Sequence, residues 1–229
     1  MTGILFVLVC WGVWYLSPAH VEWLVFNREA VFHGEWWRLW TMHLTHESRA
    51  RLIEDSAVIC FFGLVLRSYS RFFQLLAGLL LAMPMVGWLL LTLMPDVSAY
   101  HGAAGVAAML WMMSGWFLIV QSRSLSIGFW VGYLILSILM IKVFIEAVAI
   151  WTPFVVAAEG LELAWMVQLF GVLLGLAMFN AYNRLYAGRN SRKSRPSMTP
   201  DGKPVPLPLN APRPDSGVHS RASQSGGGK

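Results

Sequence analysis

The sequence predicts an all-α membrane protein with six transmembrane helices and an interfacial loop between the first two. Three observations lead there. Of 229 residues, 57% are hydrophobic and only 13% are charged, more apolar surface than a soluble core of this size requires. The apolar residues fall into six runs separated by polar connections. Twelve tryptophans in so short a chain suit a protein that meets two lipid–water interfaces.

The first run, residues 3–17, reaches about 22 Å as a helix, short for a bilayer. A cleaved signal peptide is the rival reading, but the basic start and small-residue cleavage site are missing. From Ser17 to Arg51 the chain is amphipathic. Trp23, Trp36, Trp37 and Trp40 mix with Arg28, Arg38, Arg49 and Arg51, as in a segment lying in the interface. Further apolar runs follow at about 52–66, 72–94, 103–121, 127–151 and 160–182. Pro84 is expected to kink the third span, and Pro95-Asp96 to close it.

The net charge of +5 belongs to the tail. Residues 189–229 hold eight basic and two acidic residues, leaving nine basic and ten acidic elsewhere. Arg67, Arg71, Arg123 and the cluster after Tyr182 mark one side of the membrane as cytoplasmic, both termini included. The arginines of the outer stretch pull against this, balanced by Glu22, Glu29, Glu35 and Glu47. The chain divides into a membrane domain, residues 1–187, and a basic Pro/Ser/Gly-rich tail, 188–229, expected to be disordered. The tail reads as a solubilising, lipid-attracted flank; its prolines could also present an extended ligand. The core carries no nucleic-acid-binding pattern.

Small residues at Gly102-Ala103-Ala104-Gly105 allow close helix approach. Gln168, Gly171, Val172 and Gly175 share one face of the last run, so residues 104 and 168 are expected to face each other. Asp55 should point into the bundle, whereas Arg51 and Glu54, at a span entrance, should face water. Lys142 and Glu146 stand at i, i+4 within a span, spaced for an intramembrane ion pair; a proton relay is the alternative. His43, His46 and Glu47 invite a metal reading, but their spacing in an irregular segment favours hydrogen-bonded structural histidines, and no metal is expected. Cys10 and Cys60, both in apolar runs, read as packing residues.

Gly34-Glu35-Trp36-Trp37-Arg38-Leu39 with Thr41, His43, His46, Ser48 and Asp55 resembles the opening of the rhomboid intramembrane proteases. Tyr100-His101-Gly102-Ala103-Ala104-Gly105 resembles their Gly-x-Ser-Gly nucleophile motif. Gln168 through Gly171 to Gly175 resembles their last helix, where His precedes Gly by three. Asp55 and the Lys142–Glu146 pair are more similar to the bacterial rhombosortase branch. The resemblance covers about residues 1–185 and implies a six-helix bundle in the bacterial inner membrane. It also implies a Ser–His dyad whose members fall on Ala104 and Gln168. Neither can serve: a methyl is no nucleophile, and an amide does not titrate. The family's oxyanion-assisting His falls on Arg51 and its Asn on Asp55. A rearranged dyad using Ser98, Tyr100 or His101 lacks a paired nucleophile.

The resemblance therefore implies a pseudoprotease without cofactors. It would bind a transmembrane segment of another membrane protein, or join a larger membrane complex, as accessory subunit, chaperone or assembly factor. The alternative is a rhombosortase-like serine protease captured in an inactivated form. A transporter or cofactor-binding subunit has only the Lys142–Glu146 pair in its favour; repeat halves and a haem-type His pair within the spans are missing.

Overall fold

The computed structural model describes residues 2–68, 72–122, 125–149 and 161–193. Helices α1 (Thr2–Trp14), α5 (Arg49–Arg67), α6 (Phe72–Leu93), α7 (Ala104–Gln121), α8 (Ile127–Ala149) and α9 (Leu161–Lys193) make up most of it. Among the described residues, four helical stretches are long and apolar enough to cross a membrane: Gln74–Leu93, Ala104–Gln121, Ile127–Val148 and Leu163–Arg184. The protein is thus a mostly helical chain with helices long and apolar enough to span a membrane. Four stretches rather than the expected six meet the requirement, for two physical reasons. The 13 residues of α1 rise only about 20 Å, and the 19 of α5 include Arg49, Arg51, Glu54, Asp55 and Arg67. Pro84 lies inside α6, which is continuous across it.

The stretch from Ser17 to Arg51 is not one amphipathic element. It folds as α2 (Pro18–Glu22), the two-residue strand β1 (Phe26–Asn27), α3 (Arg28–Phe32), α4 (Arg38–Thr41) and a 3-10 turn, Met42–Leu44. Two of its arginines, Arg28 and Arg38, are absorbed by backbone carbonyls. Arg28 donates to the oxygens of Leu90, Leu91, Met94 and Val97 at 2.5–3.2 Å, completing the open C-terminal end of α6. Arg38, 8% exposed, bonds Glu35 and the carbonyls of Glu22 and Val25 at 2.6–2.7 Å. Strand β1 pairs antiparallel with β2 (Ala99–Tyr100), Phe26 opposite Tyr100, and so ties the stretch to the start of α7.

Two units are present. In the first, Met1–Arg184, α7 is the central element. One apolar cluster joins α1, α5, α6 and α7 through Ile59, Phe62, Leu79, Leu110 and Phe117, with Phe179 of α9. Another joins β1, α3, α4 and the end of α6. A third joins α7, α8 and α9. Helix α8 lies against α7, where a Cβ on Gly132 would come within 2.8 Å of the Gly115 carbonyl. Leu134, Ile138, Ile141 and Ile145 of α8 are left outward and exposed. Of the second unit, Leu185–Lys229, residues 185–193 are described. They are helical, so helix passes the break expected at 188; the remainder of the expected tail lies outside the described residues.

Candidate functional site

The start of α7 is fixed from three directions. Strand β2 delivers Tyr100, then Gly102 turns the chain at φ +128°, a conformation that favours glycine. The Gly102 N–H donates to the Met42 carbonyl at 3.1 Å. The Ala103 N–H donates to Asp55 Oδ2 at 3.1 Å. Asp55 thereby satisfies the backbone N–H of Ala103, the N-cap residue, whose methyl side chain caps no N–H of the first turn. The same carboxylate oxygen lies 3.2 Å from His46 Nε2.

His43 closes the loop from beneath. It is fully buried, with Nδ1 3.2 Å from the Gly102 oxygen and Nε2 2.9 Å from the Met83 oxygen. Two facing carbonyls favour the imidazolium, but burial outweighs them and pulls His43 down to about 4. The unfolded ring, at about 6.5, then binds the extra proton over that interval. Acidifying from pH 6.5 to 4 is therefore expected to remove about 3 kcal/mol of stability. Unfolding titrations of the wild type and His43→Phe check this, and parallel pH profiles would refute it.

The α7–α9 crossing is made by glycines. A Cβ on Gly171 would fall inside the Gly105 backbone, and one on Gly105 would meet the Val167 carbonyl at 3.1 Å. This contact sets Ala104 and Gln168 on the wall of one cavity of about 10 Å³, with Glu54, Asp55 and Lys142. A second cavity of about 20 Å³ on the other side of Ala104 is lined by Arg51, Asp55, Tyr100, His101 and Gly102, among others. Each holds about one water molecule. The expected site residues are thus together, with Ala104 and Asp55 between the two voids and His101 away from Gln168.

Polar side chains run across the helices on the Gln168 side. Gln168, 4% exposed, donates from Nε2 to Glu146 Oε2 at 2.8 Å, while its Oε1 is buried with no partner among the described residues. Lys142 is bonded to Glu146 one turn away and lies 3.0 Å from Glu54 Oε1. Glu54 Oε2 is 3.7 Å from Arg51. Glu54 therefore does not simply face water, as its place at a span entrance suggested: the Lys142 ammonium draws it across to α8. No sequence signal marks this, because the contact joins α5 to α8 and adjacent helix positions such as 54 and 55 do not share a face.

The chemistry at these positions is set by what lines the two cavities among the described residues. No Ser, Thr or Cys lines either small cavity. Burial, and after it the Asp55 carboxylate, pushes the Tyr100 phenol up, away from a nucleophilic phenolate. Burial pulls His101 down, and its Nδ1 has no hydrogen-bond partner among the described residues. Cys10 and Cys60 are free thiols, and the Cys10 thiol donates to the His43 carbonyl at 3.8 Å. Among the described residues no three His, Cys, Asp or Glu side chains are grouped to hold a metal. Comparison with protein-family models gives no match, and comparison with curated proteins gives none either.

Proposed function

We propose that this chain is a rhomboid-like membrane protein without protease chemistry, which binds the transmembrane helix of a partner. It would act as an accessory subunit, chaperone or assembly factor in a bacterial inner membrane. The observation that carries the reading is the cavity shared by Ala104 and Gln168. Serine-protease chemistry needs a hydroxyl there and a titratable base within hydrogen-bond reach. The two positions instead supply a methyl and an amide already committed to Glu146. On this reading α1 and α5 complete a six-helix bundle: α1 packs on α5 at glycines, where a Cβ on Gly3 would lie 2.8 Å from the Ile59 carbonyl. The exposed apolar face of α8 gives a partner helix lateral access. Cytoplasmic termini follow from the distribution of Lys and Arg, and the carbonyl-bound Arg28 and Arg38 weigh little against it.

A fluorophosphonate probe on the purified protein tests the loss of chemistry. No residue of the wild type is expected to label, and covalent labelling at any position would overturn the reading. A photoreactive residue at Ile138 tests the binding. Capture of a partner's transmembrane peptide is expected; adducts with lipid alone count against it.

A further inference from the structure

A larger cavity lies where α1 ends and α7 begins, sharing His46, Glu47 and His101 with the smaller cavity beside Ala104. Its volume is about 710 Å³, within the ~300–1,000 Å³ of small-molecule sites. Its body is apolar, built by Val13, Trp14, Val21, Val25 and Phe26. His46, Glu47 and His101 form its polar end, Glu22, Asn27 and Thr45 add further polar lining, and among the described residues neither Lys nor Arg lines it.

The histidines show what chemistry that end lacks. The His46 side chain is 2% exposed. Its Nε2 faces Asp55 Oδ2, an oxygen that also accepts the Ala103 N–H, so Nε2 carries the proton. In the neutral ring Nδ1 is then a bare lone pair. It is buried with no partner among the described residues, as is Nδ1 of His101. A buried acceptor without a donor is unfavourable. Glu22 and Glu47 are exposed and have no ion-pair partner among the described residues. Two open carboxylates and the bare His46 nitrogen favour a cation rich in N–H donors and disfavour a phosphate or carboxylate. The long apolar wall favours an alkyl chain.

We propose that this cavity binds a single-chain amphiphile with a primary ammonium head. The ammonium sits between Glu22 and Glu47 and donates to His46 Nδ1, and the chain lies along Trp14, Val21 and Val25. The site does not depend on the rhomboid-like reading.

The full chain in phosphatidylcholine nanodiscs is exposed to a dodecylamine carrying a terminal diazirine, and separately to the matching carboxylate. Labelling by the amine is expected in the peptides holding Trp14 and Val21–Phe26, about tenfold above the carboxylate. E22Q/E47Q is expected to lower amine labelling about tenfold while leaving the unfolding temperature unchanged, since both carboxylates are exposed and unpaired. V21W, which narrows the apolar wall on which the chain would lie, is expected to lower amine labelling too. Equal labelling by the two probes, labelling confined to the outer face of α8, or an amine signal insensitive to E22Q/E47Q would overturn the proposal.

Discussion

Gly171→Val is expected to lower the stability of the bundle by about 3–4 kcal/mol, the largest effect of any single substitution at a helix crossing here. A Cβ at Gly171 would stand 2.8 Å from the Gly105 carbonyl carbon and 3.1 Å from its Cα. Both are backbone atoms of a helix, with no rotamer to change. Relief would require α9 to move away from α7. That movement would open the seam where a Cβ on Gly175 already lies 2.8 Å from the Met109 carbonyl, and would pull Phe179 from its edge contact with Phe117. Inside a membrane such separation is not repaired by water, and close packing of small residues is itself what holds helices together. Thermal unfolding in mild detergent measures the effect. Gly12→Ala is the matched control, because a Cβ there meets nothing within 4 Å; it is expected to be neutral or slightly stabilising. Equal transitions for the two variants would show that α7 and α9 do not cross at Gly105 and Gly171.

That crossing was legible because a helix face repeats with the helical period and only small residues let two backbones meet. Gly171, Val172 and Gly175 announce both the face and the approach. The bounds of α6, α7 and α8 were legible for a similar reason: long apolar runs ended by polar or proline positions. The fate of Arg28 and Arg38 was not, because their acceptors are main-chain carbonyls that any residue supplies. No side-chain pattern distinguishes an arginine that closes α6 from one that faces lipid headgroups. The same limit hid the folding of Ser17–Arg51 into three short helices and a strand, which depends on pairing Phe26 with Tyr100, 74 positions away. At the site, the Lys142–Glu146 pair follows from i, i+4 spacing on one helix. The bridge to Glu54 joins two helices and needs the tertiary arrangement of α5 beside α8. Sequence composition therefore reached the cavity walls one helix at a time and missed the polar link between them.

The Glu54–Lys142–Glu146 link yields the second large effect. Lys142→Met is expected to destabilise the protein by about 3 kcal/mol. The lysine is the only cation bonded to Glu146 among the described residues, and the Glu146 side chain is 12% exposed. Removing the ammonium leaves that carboxylate in an apolar helix with one amide donor, Gln168. Breaking a buried pair costs more than the pair contributes, because the surviving charge is uncompensated. Lys142→Met/Glu146→Gln removes both charges and puts an amide where the carboxylate stood, still able to accept from Gln168, so it is expected to recover most of the loss. The coupling in the double-mutant cycle should be about 1–3 kcal/mol. Glu54→Gln should cost less, since the Glu54 side chain is 41% exposed. Unfolding of the wild type, Lys142→Met, Glu146→Gln and the double variant in one detergent gives the cycle. Strict additivity would mean that Lys142 and Glu146 do not sense each other, and the polar link from α8 to α9 would then have no energetic basis. Substantial coupling would instead identify α8, whose outer face is otherwise bare, as a helix latched to α5 and α9 by charge, with its position set where a partner helix must enter.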